Sequence, residues 1–240
     1  MKRVRILIVV CMITVLGVGC GTTEVTSNAE GDKTLYELAM ADSMVAEEDE
    51  IYELVTLDAL DEMVTWDEEG RVLLLTYHSY PDSYLEGEDV TLEWGSVWSF
   101  TDKELEAFYE EEKDDVEDWA LRLEQLIGLP EGSGHTVVTA MWVDLSDVTR
   151  PAYQSDATDG TMMNYLPEGV EEEYQEWFDQ NILDSYYYGA YPWTRLGYTY
   201  DWADNGTEYG VTEFLIQKGA ITEVEYTMTL DELWDYFDNN

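Results

Sequence analysis

Two histidines, His78 and His135, are the side chains best suited by type to acid–base or metal chemistry. A metal site would need further His, Cys or carboxylate ligands at helical or loop spacing, and neither histidine has them. His135 follows Gly132-Ser133-Gly134, a spacing that differs from the G-x-S-x-G elbow of serine hydrolases. Phosphate-binding and dinucleotide-binding glycine loops are also absent after residue 20. The sequence therefore predicts two ordinary histidines near strand ends, no metal centre and no cofactor.

Paired carboxylates are the remaining route to catalysis, because glycoside hydrolysis needs two acidic side chains at a suitable separation. The chain has 54 Asp and Glu, so the sequence does not single out any pair. A cell-surface glycan or peptide hydrolase therefore stays as an alternative function. A deep pocket with paired carboxylates would favour that alternative, and an exposed aromatic patch would favour binding.

An acidic segment, DWADNGTE, matches part of a calcium-binding loop. With Asn205-Gly206 at the fifth and sixth positions, Asp201 takes the first, but two other ligand positions hold unsuitable residues. The same Asn-Gly pair is the strongest short signal for a β-hairpin turn, and we favour the hairpin. The candidate calcium ligands are Asp201, Asp204 and Glu208.

A dense aromatic cluster is the other candidate site. Tyr186-Tyr187-Tyr188, Tyr191 and Trp193 precede Arg195, one of few cations in the chain. Aromatic side chains stack on sugar rings or anchor proteins, and an arginine beside them can orient a carboxylate or phosphate. The same rings could instead fill space between helix and sheet. The candidate ligand-binding residues are Tyr187, Tyr191, Trp193 and Arg195.

The first 20 residues carry an export signal. Three Lys and Arg residues in the first five positions precede an apolar run, residues 6–18, that is too short for a comfortable membrane span. Leu16-Gly17-Val18-Gly19-Cys20 resembles the lipobox of bacterial lipoproteins, although Gly17 stands where leucine is usual. The resemblance implies cleavage before Cys20 and attachment of palmitate and related acyl chains to it. The alternatives are a secretory signal cut elsewhere or an uncleaved anchor.

This resemblance implies the domain organisation and the location. Residues 1–19 would be the signal peptide, 20–33 a flexible tether and 34–240 a single acidic domain. The lipid would hold the protein on the extracytoplasmic face of the cell membrane. Only Cys11 and Cys20 are cysteines, so the mature domain would have no disulfide and no thiolate ligand. The mature part resembles only uncharacterised lipoproteins of Gram-positive bacteria, which implies no activity.

The charge balance narrows the choice of partners. Without the signal, eight Lys and Arg face 54 Asp and Glu. Such acidity disfavours nucleic acid, whose phosphates need a basic patch, and it disfavours anionic polymers. It is compatible with a glycan, a peptide or a cationic partner. A solvated surface or adaptation to salt would give a similar composition.

The strand pattern predicts an antiparallel sheet. The unbroken apolar run Val72–Leu75 predicts a central strand covered on both faces, and Val90–Phe100 alternates as one strand. Residues 191–227 predict three consecutive antiparallel strands with turns at Asn205-Gly206 and Lys218-Gly219. In this register Trp202 pairs with Tyr209 and Tyr200 with Val211.

The helix signals are grouped rather than alternating with the strands. Capping boxes at Thr101–Glu104 and Thr229–Glu232 predict two helix starts, and Pro167 predicts another. Grouped hairpins and helices are typical of a single α+β domain, in which helices pack mainly on one face of an antiparallel sheet. We therefore expect a lipid-anchored extracytoplasmic binding or accessory module without catalysis.

The lipid anchor is directly testable. Cys20→Ser should release the protein from membranes into the soluble fraction, because stable attachment needs more than one acyl chain and each buried methylene contributes about 0.8 kcal/mol. Fractionation of cells followed by immunoblotting measures this. A cleaved Cys20→Ser protein that stays with the membrane would contradict the lipoprotein interpretation.

Overall fold

Strand β1 (Val72–His78) is the centre of the fold, because all seven of its residues are buried. This confirms the central strand predicted from the apolar run Val72–Leu75. The computed structural model describes residues 33–239. The predicted signal peptide, Cys20 and nearly all of the predicted tether lie outside the described residues.

The other strands of the described residues are β2 (Asp89–Thr91), β3 (Val97–Thr101), β4 (Val137–Val143), β5 (Val148–Thr149), β6 (Tyr198–Tyr200), β7 (Tyr209–Thr212), β8 (Phe214–Ile216) and β9 (Ile221–Thr229). Seven of the strands form one antiparallel sheet in the order β2-β9-β4-β1-β3-β8-β5, and β6 and β7 form a separate two-stranded sheet. The longest pairing joins β1 to β4, from Val72 opposite Val143 to His78 opposite Val137.

Within the described residues the sheet is accompanied by five α-helices: α1 (Leu35–Asp42), α2 (Asp102–Glu112), α3 (Trp119–Leu126), α4 (Glu172–Leu183) and α5 (Leu230–Asn239). The predicted capping box before α5 is present, since Glu232 N–H donates to the Thr229 hydroxyl and the Thr229 N–H donates to the Glu232 carboxylate. At the start of α2, Thr101 accepts from the Glu104 N–H as predicted. The Glu104 carboxylate instead accepts hydrogen bonds from β7, so that box is half formed.

The two faces of the sheet are covered differently. On one face, α2, α3 and α5 bury a core that includes Leu105, Leu123 and Leu233. On the other face, loop residues such as Leu57 and Ala157 cover a second core. The protein is a single-domain α+β fold with an antiparallel sheet and helices mainly on one face, as predicted. Within residues 33–239, no helix is both long and apolar enough to cross a membrane.

The predicted three-stranded unit at residues 191–227 is wrong in its pairing. The β6–β7 hairpin exists, but β8 pairs with β3 and β5, and β9 pairs with β2 and β4. Tyr200 pairs with Tyr209, so the register differs from the predicted one. The physical reason is a wider loop: Gly206 has φ 86° but Asn205 does not take positive φ, whereas a type I′ turn needs both.

The stretch Val90–Phe100 is two strands rather than one. Between β2 and β3, the Leu92 backbone bonds both ways with the turn after β8, donating to Ala220 and accepting from Gly219. After β2, which lies beside β9 at one edge of the sheet, the chain therefore crosses the sheet to reach β3, between β1 and β8. Trp94 lies in this crossing and is 98 % exposed.

Gly210 on β7 gives a sharp test of this arrangement. A Cβ there would clash with the Leu126 carbonyl oxygen and Thr199 Oγ1, which hydrogen bond to each other at 2.7 Å. Gly210→Ala should therefore destabilise the domain by about 1–3 kcal/mol, as overpacking does. Urea unfolding of the purified domain measures the change.

Gly95→Ala is the matched control, because a Cβ at Gly95 meets nothing within 4 Å. Its effect should stay within about 0.5 kcal/mol. Equal effects of the two substitutions would contradict the close contact between β7 and the end of α3.

Candidate functional site

A cavity of about 770 Å³ lies against the last three residues of β1, Thr76–His78, and against residues Val97–Phe100 of β3. Its walls also come from the end of α3, from the segment after α4 and from residues 191–193. This volume is within the range of pockets that bind drug-sized molecules.

Aromatic side chains dominate the cavity wall, with nine Tyr, Trp and Phe residues among its lining. Trp193 is buried deep in the wall and packs edge to face against Trp98, with ring centroids 6.3 Å apart. Tyr80 and Tyr188 are largely exposed and lie at the mouth, where Tyr188 is 79 % exposed. The cavity therefore combines a buried aromatic floor with an aromatic rim.

A π-helical turn, Asp184–Gly189, positions part of this rim. It continues directly from α4 and ends at Ala190, which takes a left-handed conformation with φ 58°. Such conformations are uncommon for residues other than glycine, and π-turns are frequent at functional sites. The turn directs Tyr188 to the cavity, while Tyr186 points inward and donates to the Ser43 carbonyl.

Glu213 is the polar group in the wall with the most unusual environment. It lies between β7 and β8, is 5 % exposed, and its Oε1 has no hydrogen-bond partner. Burial raises the pKa of its carboxyl well above the ordinary range, and the Trp193 indole and the Arg150 guanidinium oppose this shift less strongly. The neutral acid is therefore favoured, since an ionised carboxylate is costly to bury without a partner.

The nearby Arg150 is completely buried. Within the described residues, acidic groups act on it through their electrostatic field rather than through a direct ion pair. Its Nη2 donates to the carbonyls of Val55 at 2.9 Å and Ala157 at 3.2 Å. Burial lowers its pKa to about 10, so it stays charged at neutral pH. Among the carboxyl groups, Glu104 and then Glu213 oppose this lowering of the Arg150 pKa most strongly.

Glu104 is the better placed of these two acids to carry the negative charge. Its Oε1 accepts from the Thr212 N–H at 2.9 Å and from the Tyr209 hydroxyl at 3.0 Å. Hydrogen bonds to a carboxylate favour its ionised form, although burial raises the pKa of Glu104 as well. The buried group formed by Arg150, Glu104 and Glu213 thus has one cation and two acids.

His78 borders the cavity as a neutral imidazole. Its Nδ1 accepts from the Tyr80 N–H at 3.1 Å, so its Nε2 carries the proton and donates to the Thr139 hydroxyl at 2.7 Å. Burial lowers the pKa of His78 to about 4. Both nitrogens are engaged, which is consistent with the structural role predicted for this residue.

The Ser133–His135 pair is not arranged for nucleophilic catalysis. The Ser133 hydroxyl donates to Glu124 at 2.7 Å, so His135 Nδ1 must be the donor in its 2.8 Å contact with Ser133. A histidine that acts as general base has to accept the serine proton instead.

The predicted aromatic site is partly brought together. Tyr191 and Trp193 line the cavity. Tyr187 does not line it and is 71 % exposed. Arg195 is buried elsewhere, where its guanidinium donates to the Tyr153 hydroxyl at 3.0 Å and to the Ser43 carbonyl at 2.8 Å.

The three predicted calcium ligands make different contacts and do not form one site. Asp201 is buried and accepts two hydrogen bonds from Arg122, at 3.1 and 2.8 Å. Asp204 is exposed. Glu208 lies instead beside Asp42 and Glu50, with one oxygen of each within 4.8 Å of the others. Burial and then repulsion by Glu50 raise the pKa of Glu208. In the part of the chain that the structure describes, these three carboxylates are the group that could hold a cation.

Sequence reasoning missed Glu213, Asn181 and the partners of Glu208. A signal for Glu213 existed in the sequence, because it is the one charged residue in the run VTEFLI at positions 211–216. Asn181 and the acidic cluster had none, since their surroundings come from distant parts of the chain. No known protein family, curated protein or solved structure matches the chain.

The buried Glu213 carboxyl predicts a pH dependence of stability. Because its pKa is raised on folding, its contribution is fully present below the ordinary carboxyl pKa and is lost as pH rises through the folded value. The glutamine side chain of Glu213→Gln does not titrate, so the variant does not lose this stability as the pH rises. Relative to the wild type, the variant should gain stability between pH about 5 and 8, by at most about 1.4 kcal/mol per pH unit.

Thermal unfolding of both proteins across this pH range measures the difference. Glu176→Gln, which removes an exposed carboxylate on α4, is the control, and the gain in Glu213→Gln should exceed any change in this variant. Parallel wild-type and Glu213→Gln curves would show that Glu213 does not titrate abnormally.

Proposed function

We propose that this protein is a lipid-anchored, extracytoplasmic binding protein that takes a small organic molecule into the aromatic cavity. The observation that carries this proposal is the 770 Å³ cavity, whose lining combines nine aromatic residues with a buried, unpartnered Glu213 oxygen. Apolar pockets with few convergent polar groups and perturbed pKa values are the usual form of ligand sites.

The anchoring part of the proposal rests on the N-terminal pattern that ends at Cys20. The acidic composition supports the choice of partner, because a chain with 54 Asp and Glu repels nucleic acid and other polyanions. A membrane-tethered domain with an open cavity can capture small molecules outside the cell or present them to another protein.

A hydrolase is the second candidate, favoured by one observation. Two carboxyl groups line the cavity, Glu213 in its wall and Asp184 at its exposed edge. A buried acid with a raised pKa suits a general acid. Binding is preferred, because Asp184 accepts a hydrogen bond from Gln180 of its own helix and the lining is otherwise mostly aromatic.

Two neighbouring tyrosines test the binding site. Tyr188 lines the cavity mouth and Tyr187 does not, although both are exposed. Tyr188→Ala should weaken binding of a small aromatic ligand about threefold to tenfold, because one aromatic contact contributes about 0.5–1.5 kcal/mol. Tyr187→Ala should leave the affinity unchanged.

Ligands can be found by screening small aromatic compounds against ¹⁵N-tryptophan-labelled protein. A cavity ligand should shift the indole signals of Trp98 and Trp193 but not those of Trp66 and Trp234, which lie outside the lining. Equal effects of the two tyrosine substitutions would contradict the site. Turnover of a glycan or peptide that is lost in Glu213→Gln would favour the hydrolase.

A further inference from the structure

The cavity wall carries acidic side chains that are not matched by permanent cations. In the described part of the chain, no Lys or Arg lines the cavity, whereas Glu213 and Asp184 do. The negative potential of the whole chain adds to this, because its 54 Asp and Glu far outnumber its Lys and Arg. The cavity therefore disfavours an anionic ligand and attracts a cation.

The buried charges next to the cavity are not balanced in pairs. Arg150 carries one positive charge, and Glu104 with its two strong donors suits the matching negative charge. Glu213 is then a second acid without a second cation. A positive group in the cavity would supply the missing partner, since a buried carboxylate is stabilised by an opposite charge and a hydrogen bond.

The unpartnered polar atoms of the wall are few. Among the residues described, the buried side-chain atoms of the lining without a partner are Glu213 Oε1 and Asn181 Nδ2. A sugar ring would bring several hydroxyl groups that each need a partner when buried. A ligand with one charged donor and an apolar body fits this wall better, and aromatic faces attract cations as well.

We propose that the cavity binds an organic ammonium ion, which donates an N–H to the Glu213 carboxylate and packs its apolar body against Trp98 and Trp193. This inference rests on the proposed binding function and names its ligand class. The ligand keeps its protons, and the acid proton of Glu213 passes to solvent as the ion pair forms. Asn181 is placed to donate to a hydroxyl or carbonyl oxygen on the same ligand.

Three probes of similar size separate the contributions. Phenethylammonium carries the charge and N–H groups, 2-phenylethanol is its neutral counterpart, and trimethyl(phenethyl)ammonium keeps the charge without an N–H. Titration calorimetry with the domain from Lys33 onward, which forms one unit, should show phenethylammonium binding at least about tenfold more tightly than either other probe.

Glu213→Gln should remove this preference, so that phenethylammonium and 2-phenylethanol bind within about threefold of each other. Asp184→Asn, at the exposed edge, should weaken the ammonium less, and salt should screen that effect. An unchanged preference in Glu213→Gln would overturn the ion pair.

Proton release by the wild type gives a second measurement that does not depend on the variant folding. Calorimetry at neutral pH in two buffers of different ionisation enthalpy should show that phenethylammonium binding releases protons and that 2-phenylethanol binding releases none. The charged and titratable groups that face Glu213 are Arg150, Tyr174 and Tyr186. None of them gives up a proton more readily than a carboxylic acid, so the released proton is assigned to Glu213.

The outcomes separate this inference from the proposed function. If 2-phenylethanol or methyl glucoside binds in the cavity as tightly as phenethylammonium, the cavity still binds ligands but the ammonium specificity is wrong. If none of the probes shifts the Trp98 and Trp193 signals at millimolar concentration, both the ligand class and the proposed function are contradicted.

Discussion

The completely buried guanidinium of Arg150 determines much of the interior. Its carbonyl contacts fix the segments at Val55 and Ala157, which cover one face of the sheet. Its charge offsets part of the cost of burying Glu104 and Glu213. Removing a charge from such a set leaves the others unpaired, which is more costly than never having buried them. The polar interior is therefore a unit rather than a sum of separate contacts.

Three arginines of the described residues lie in the interior. Arg122 pairs with the buried Asp201 and with Glu112, while Arg150 and Arg195 are buried and bond mainly to carbonyl or hydroxyl oxygens. Most surface carboxylates are left without a positive neighbour. Their repulsion is long-ranged and falls with salt. The stability of this domain is thus coupled to ionic strength.

Local signals in the sequence predicted the local features well. The apolar run of β1, the caps at Thr101 and Thr229, and the α+β class all depend on residues close in the chain. Pairing was less predictable, because Glu213 marks the point where the chain passes from the small sheet to the large one. Hydrophobic alternation does not indicate which sheet a strand joins.

Only those residues of the candidate site that lie close together in the sequence were predictable. Tyr191 and Trp193 belong to one dense aromatic stretch, and the sequence identified both. Asn181, Glu213 and His78 meet them only through tertiary contacts between α4, the β7–β8 junction and β1. The same is true of Glu208, whose neighbours Asp42 and Glu50 come from the start of the domain.

The π-helical turn Asp184–Gly189 has a consequence for how this site can diversify. A π-turn holds one more residue than an α-turn, and each residue in a helix rotates the following side chains by about 100°. Losing one residue here would restore an ordinary helix and swing Tyr188 away from the cavity, with the sheet untouched. Single-residue insertions and deletions in this turn can therefore change the shape of the cavity opening during evolution without disturbing the sheet. Homologues that differ in the length of this turn should differ in the molecules that enter the cavity.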